Sequence, residues 1–422
     1  MSTQVYKALF FKILSSGAQI VFLLLTARLL GSEGRGELTL FLTNLTLLQL
    51  FSELLNGPAL VYLSPRLNKS SMIGITLVWA VISNLAGLFI LKTFLNIETL
   101  HPTELLLTSF ALSLYSAWLM MIQGKEKLSW FWLISFLQPL IQLALIIILY
   151  TQGQLSVINT IYGIWISYSL ALVLLLFPLS SIRNTEQVKD TKESLIQMFK
   201  HGVPALLANL AFFLSARTVV YMMEYADPSN KSIGIYSVAA TMVEAMWIIN
   251  LGLASWLYPR VANETDKTQQ ALISTQTFRM AVLLSLFPAL IYLSVPNAVY
   301  IYILGDAYHS TYYIILLLLP GVFLLNGGKI LWNYFTGTGL FKVNYLASMA
   351  GAIVAIALCR TLLPYYRTEY AAAIAVSAGY ITTSAGLIVA YLYYSKTLVK
   401  ELIPGKQDLQ SIFVYVRNLR SN

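Results

Sequence analysis

Charged residues and cysteine are what this sequence has least of. Only 11% of its 422 residues are Asp, Glu, Lys or Arg, while 58% are apolar and the mean hydropathy is +0.71. A typical soluble domain carries roughly 25% charged residues. No water-soluble fold could hide so much apolar surface, so the solvent for this chain is lipid. The single cysteine, Cys359, excludes an internal disulfide framework and any cysteine-based zinc or iron–sulfur centre. The three histidines, His101, His201 and His309, are too far apart to show metal-ligand spacing. Nucleotide and metalloprotease motifs are missing: there is no GxxxxGK[ST] and no HExxH. Gly31-x-x-Gly34-x-Gly36 superficially resembles a nucleotide loop, but no strand precedes it, and it reads as a tight turn between helices. No metal and no cofactor are therefore expected. The net charge of +9 could suggest nucleic acid, yet in a membrane protein such an excess marks cytoplasmic loops, and no nucleic-acid partner is expected.

What the sequence has in abundance is long apolar runs. A helix needs about 20 apolar residues to cross the hydrocarbon. Twelve runs qualify: roughly 5–30, 37–63, 71–95, 104–123, 128–150, 155–179, 201–225, 232–258, 271–295, 311–336, 341–363 and 370–394. The first is too long for a signal-peptide core and has no small-residue cleavage site after a short core, so it reads as the first transmembrane helix. Helix is the default because lipid-exposed backbone must satisfy its own hydrogen bonds. With the N-terminus inside, 19 of the 27 Lys and Arg residues fall on the cytoplasmic side and six opposite. That bias sets both termini in the cytoplasm.

The longest interior hydrophilic stretch, 181–200, lies at the midpoint. The expected fold is an all-α polytopic membrane protein, with about 12 transmembrane helices in two six-helix lobes (1–180 and 201–394) around a central cavity. Residues 395–422 form a cytoplasmic tail, in which Leu409, Ile412, Phe413, Val416 and Leu419 share one helical face. That segment is either an amphipathic helix on the leaflet or a frayed end. No other loop exceeds about fifteen residues, which leaves no room for a catalytic domain, and an enzyme is not expected. A faint parallel repeat links the halves. Gly36 opens span two and Ser64-Pro65-Arg66-Leu67 closes it, while Gly234 opens span eight and Tyr258-Pro259-Arg260-Val261 closes it.

Ionisable groups inside spans cost from about 2.5 to over 10 kcal/mol, so they face a cavity or a partner. Glu53, Arg217, Glu244 and Lys329 are placed in this way, and Arg28 sits nearer the outer edge. Two readings stand: buried pairs that fix helix packing, or a polar central cavity. Breakers accompany them, at Asn56-Gly57-Pro58, Pro320-Gly321 and Gly327-Gly328, and Pro139, Pro204 and Pro288 interrupt other spans. Such breaks suit a protein that rocks between two open states. Of the 26 tyrosines, Tyr62, Tyr258, Tyr365, Tyr366, Tyr391, Tyr393 and Tyr394 sit near span ends and read as an interfacial belt, which leaves a few of the others for stacking on a sugar.

Several stretches resemble one family. Ala27-Arg28-Leu29-Leu30-Gly31-Ser32-Glu33-Gly34-Arg35-Gly36 resembles the "ARxLGPxxxG" join of polysaccharide flippases, and Ser232-Ile233-Gly234-Ile235-Tyr236-Ser237-Val238-Ala239 their "VGxYSVA" opening of helix eight. Leu304-Gly305-Asp306-Ala307-Tyr308 looks like their "GxxY" segment. Leu362-Leu363-Pro364-Tyr365-Tyr366 with Ala371-Ala372-Ala373-Ile374 looks like "LIPxYGxxGAA" without its glycines. The chain thus resembles the O-antigen (Wzx-type) flippases of the multidrug/oligosaccharidyl-lipid/polysaccharide exporter superfamily.

The resemblance implies export of an undecaprenyl-pyrophosphate-linked oligosaccharide from the cytoplasmic to the periplasmic leaflet of a bacterial inner membrane. It implies alternating access coupled to H+ or Na+, with membrane lipid, a polysaccharide polymerase and a chain-length regulator as partners. Arg217, Lys329 and Arg28 are the expected pyrophosphate ligands. Glu53 and Glu244 would balance charge or bind the coupling ion. Family members often carry an acid beside the helix-seven arginine, where this chain has Ala216. A multidrug or small-metabolite cation antiporter of the same superfamily is the alternative, and would favour an acidic cavity.

Overall fold

The computed structural model describes residues 3–57, 60–61, 64, 69–93, 101–182, 191–227, 229–405 and 408. Among these are thirteen α-helices, two short 3-10 turns and no β-strand. The first seven helices are α1 (Thr3–Asn56), α2 (Lys69–Thr93), α3 (Pro102–Gly124), α4 (Leu128–Thr151), α5 (Val157–Ser180), α6 (Thr191–Ala226) and α7 (Lys231–Glu244). They are followed by α8 (Trp247–Asn263), α9 (Lys267–Ser294), α10 (Asn297–Leu304), α11 (Thr311–Gly337), α12 (Phe341–Leu362) and α13 (Thr368–Ser395). Pro58, Pro65 to Leu67 of the repeat, linker residues 183–190 and the expected tail helix beyond Asp408 lie outside the described residues.

Ten of these helices are long and apolar enough to cross a membrane. Their outer faces carry side chains such as Phe89, Phe177, Phe287 and Val389, each more than half exposed. Only hydrocarbon solvates such faces without cost. The ten helices hold eleven of the twelve expected runs, because α1 contains two. The twelfth run, 232–258, is divided between α7 and α8.

The expected turn at 31–36 is a single residue. A straight helix of 54 residues would be about 80 Å long, more than twice the hydrocarbon thickness. Gly31 (φ 71, ψ 179) bends it, and Ser32 to Gly36 are already helical again. Arg35 Nη1 donates to Thr26 Oγ1 at 3.0 Å. Residues nine apart on a straight helix lie on opposite faces about 13 Å apart along the axis, so this bond requires the bend. Arg35 is consequently buried, not exposed in a loop.

Gly31 occupies a region of backbone space that is essentially glycine's alone. A Cβ there would meet nothing within 4 Å, so the cost of Gly31→Ala is purely conformational. That substitution is expected to destabilise the protein by about 1–3 kcal/mol. Thermal unfolding in detergent reads the loss, and an unchanged midpoint would refute a glycine-dependent bend.

The chain divides into two compact units, Met1–Leu210 and Ala211–Asn422. The dividing line falls within α6 rather than in the hydrophilic stretch 181–200. The reason is packing: Gly202 lies against Leu54, and the Phe199 ring is 6.0 Å from that of Trp79.

In the first unit Leu60, Met72, Ala117, Ile122 and Leu175 form a core. At one end Ser64 Oγ donates to the Met121 carbonyl (2.9 Å), Lys69 Nζ to that of Ile182 (3.4 Å), and Lys127 Nζ to the Ser181 hydroxyl. At the other, His101 Nε2 is 3.0 Å from Glu37 Oε1, and Tyr162 donates to Glu104 (3.0 Å). Loops assigned to one side of the membrane by span counting therefore do meet.

In the second unit Leu257, Phe278, Ile330, Phe335 and Tyr391 form the core. Gly321 packs on Ser377 and, seven residues later, Gly328 packs on Ser384, so α11 and α13 run parallel at close range. Gly351 of α12 faces Gly379 and Thr383 of α13. Arg279 of α9 binds Asp408 (Nε to Oδ1, 3.0 Å) and the Glu401 carbonyl, holding the segment after α13 against α9.

Candidate functional site

The break between α7 and α8 builds the site. α7 ends on Glu244 and α8 begins on Trp247. The Met246 amide reaches back only three residues to the Val243 carbonyl, and Ile248 does the same to Ala245 (both 3.1 Å). This tightening shifts the ladder, and the Met242 carbonyl accepts instead the Tyr292 hydroxyl of α9. Neither glycine nor proline stands at the break.

Glu244 and Trp247 flank the break and meet the same residue, Tyr380 of α13. Arg217 Nη2 of α6 donates to Glu244 Oε2 at 2.9 Å, and the Tyr380 hydroxyl of α13 donates to Oε1 at 2.9 Å. Tyr380 is fully buried, while the Arg217 and Glu244 side chains are 31% and 11% exposed. Both carboxylate oxygens are thus engaged. Lys329 Nζ of α11 lies 3.2 Å from the centroid of the Trp247 indole and 5.2 Å from that of Phe212. Phe212 and Tyr380 stack in parallel at 6.4 Å, and Trp247 stands 5.9 Å from each of them. The ammonium therefore rests on an aromatic face beside a carboxylate that is already occupied. Among the described residues no acid or carbonyl accepts a hydrogen bond from it. Gly328, next to Lys329, is seated on Ser384, one turn beyond Tyr380, so α11 and α13 are in close contact beside the site.

No protein-family model matches the chain, and no curated protein does. Solved structures do. A multidrug resistance MATE family transporter of the MOP superfamily, in its inward-facing conformation, aligns over 93% of this chain and 94% of its own, with a TM-score of 0.72 at 14% identity. The chain has the fold of the MATE transporters. The MATE multidrug transporter DinF-BH aligns over 93% and 94% at a TM-score of 0.68 and 16% identity. The eukaryotic MATE transporter AtDTX14 aligns over 95% and 98% at 0.63 and 13%.

Within this MATE-like fold, three of the five expected site residues come together: Arg217, Glu244 and Lys329. The other two belong to the first unit. Glu53 accepts from Asn209 Nδ2 at 3.1 Å, three residues before α1 ends at Asn56. Arg28 is exposed three residues before the Gly31 bend, on the other side of that bend from Glu53. The readings of the buried charges divide as well. Arg217 and Glu244 are paired with each other, whereas Lys329 donates to no carboxylate among the described residues.

Trp247, Tyr380 and Phe212 had no sequence signal, being three among 54 aromatic residues. Glu369 was also missed. It is 1% exposed at the start of α13, with Oε1 2.9 Å from Arg367 Nη2. In the sequence it sits in polar punctuation and looks solvated.

Proposed function

We propose that the protein is a flippase for an undecaprenyl-pyrophosphate-linked oligosaccharide, working by alternating access in a bacterial inner membrane with both termini in the cytoplasm. One observation carries this reading. The Glu244 cluster holds two cations against one carboxylate, and that carboxylate is bonded at both oxygens. An organic cation would meet Lys329 and Arg217, and would have to break two hydrogen bonds to reach Glu244. A pyrophosphate meets the reverse situation. Lys329 can leave the Trp247 face, worth about 2 kcal/mol when desolvated, for a stronger charge-assisted bond to a phosphate oxygen. Trp247 and Phe212 are then free to pack against the apolar face of a sugar ring. Glu244 holds Arg217 in place, and Glu53 with Asn209 is the site offered to a coupling H+ or Na+. A polysaccharide polymerase and a chain-length regulator remain the partners implied by the resemblance.

The second reading is a cation antiporter, favoured by the fold it shares with multidrug MATE transporters. Reconstitution separates the two. The full chain in vesicles, given a fluorescent short-chain polyprenyl-pyrophosphate oligosaccharide, is expected to move label between leaflets. It is expected to leave a cationic dye gradient unchanged. Dye export without lipid movement would overturn the proposal.

A further inference from the structure

A groove in the same unit begins one helical turn beyond Arg217, the partner of Glu244. The last turns of α6 and α12 end side by side around this groove of about 600 Å³, lined by Tyr221, Met222, Tyr225, Arg360, Leu363 and Pro364. Its volume falls within the range of about 300–1,000 Å³ usual for small-ligand sites. The walls are apolar and aromatic, and the one charged lining residue is Arg360. Arg360 is exposed, and it has no ion-pair partner among the described residues. Glu224 does not line the groove, but it lies within Coulomb range of Tyr221.

The depth of the groove indicates what fills it. Both helices that form it are apolar spans ending at this level. Tyr225 is 94% exposed and Tyr365, one residue beyond Pro364, is 82% exposed. Tyrosines projecting from span ends mark the depth where hydrocarbon gives way to headgroups. A guanidinium at that depth, above an apolar wall open to lipid, matches a molecule with a phosphate at one end and a chain at the other. We infer that the groove seats an anionic phospholipid, its phosphate on Arg360, its glycerol against the tyrosine hydroxyls, and an acyl chain along Met222 and Leu363.

The test uses purified full-length protein in detergent, titrated with dioleoyl phosphatidylglycerol, phosphatidylcholine or phosphatidylethanolamine, with bound lipid counted by native mass spectrometry. Phosphatidylglycerol is expected to be retained about fivefold better than the two zwitterionic lipids. Arg360→Gln should erase that preference and Arg360→Lys should keep it. Leu363→Trp, which fills the groove with the arginine in place, should lower retention of phosphatidylglycerol, and this holds the test open should Arg360→Gln fail to fold. Equal retention of all three lipids, unchanged preference in Arg360→Gln, or unchanged retention in Leu363→Trp would each overturn the inference. So would a preference for phosphatidylethanolamine, since Glu224 would then set the headgroup.

Discussion

Arg217→Ala is expected to lower export of lipid-linked oligosaccharide by about two orders of magnitude, with the protein still in the membrane. The substitution removes more than one positive charge. Glu244, 11% exposed, would keep only the Tyr380 hydroxyl. Removing one partner of a buried pair costs about 3–5 kcal/mol, and less here because the Arg217 side chain is 31% exposed. The cheapest repair lies nearby. Lys329, within Coulomb range of Glu244, can leave the Trp247 ring and pair with the orphaned carboxylate. One mutation would then take both cations from the cargo.

Arg217→Ala and Glu244→Gln are expected to be non-additive. Adding Glu244→Gln to Arg217→Ala removes the carboxylate that captures Lys329, so the double mutant should export more than the single one. Lys329→Gln should abolish export at a stability cost confined to the lost Trp247 contact, because both Glu244 oxygens keep their hydrogen bonds. Surface polysaccharide on gels, normalised to membrane protein by immunoblot, measures all three. Wild-type polymer in Arg217→Ala and Lys329→Gln would sink the basic-site proposal. A double mutant no better than the single would sink the capture by Lys329.

Much of the fold was legible because lipid imposes a simple rule: about 20 apolar residues, then polar punctuation. Runs such as 128–150 and 341–363 could hardly be anything else, and α4 and α12 fall on them. The rule fails where geometry departs from it without a compositional mark. Gly31 bends α1 in one residue, so Ser32, Glu33 and Arg35, which read as a loop, are helix. The run 232–258 is broken at Ala245–Met246, two good helix formers, because Tyr292 on a distant helix supplies the hydrogen bond that the break requires. The site divides in the same way. Charged members announce themselves because charge in hydrocarbon is costly, so Arg217, Glu244 and Lys329 could be picked out. The aromatic members cannot, since Trp247, Phe212 and Tyr380 look like belt or core until the chain is folded.

The packing beneath the site makes the second large prediction. Gly321→Val is expected to lower the unfolding midpoint by about 5–10 °C and to impair export as well. A Cβ at Gly321 would stand 2.5 Å from the Ser377 carbonyl oxygen and 2.6 Å from its Cα. Those are backbone atoms and cannot swing aside, so α11 and α13 must separate, at a cost near the upper end of the usual 1–3 kcal/mol for overpacking. Separation also weakens the bond from the Gly321 amide to Ser377 Oγ (3.1 Å). Tyr380 lies one turn beyond Ser377, and its hydroxyl is one of the two donors that hold Glu244. Displacing α13 therefore loosens the carboxylate without touching any charged residue. Gly74→Ala in α2 is the matched control: its Cβ meets nothing within 4 Å, and alanine in a helix interior should stabilise by about 0.5–1 kcal/mol. Thermal unfolding in detergent compares the two. An unchanged midpoint in Gly321→Val would refute the close helix contact. A lowered midpoint with normal export would keep the contact but show that Glu244 does not rely on Tyr380, and Arg217 alone would then have to orient it.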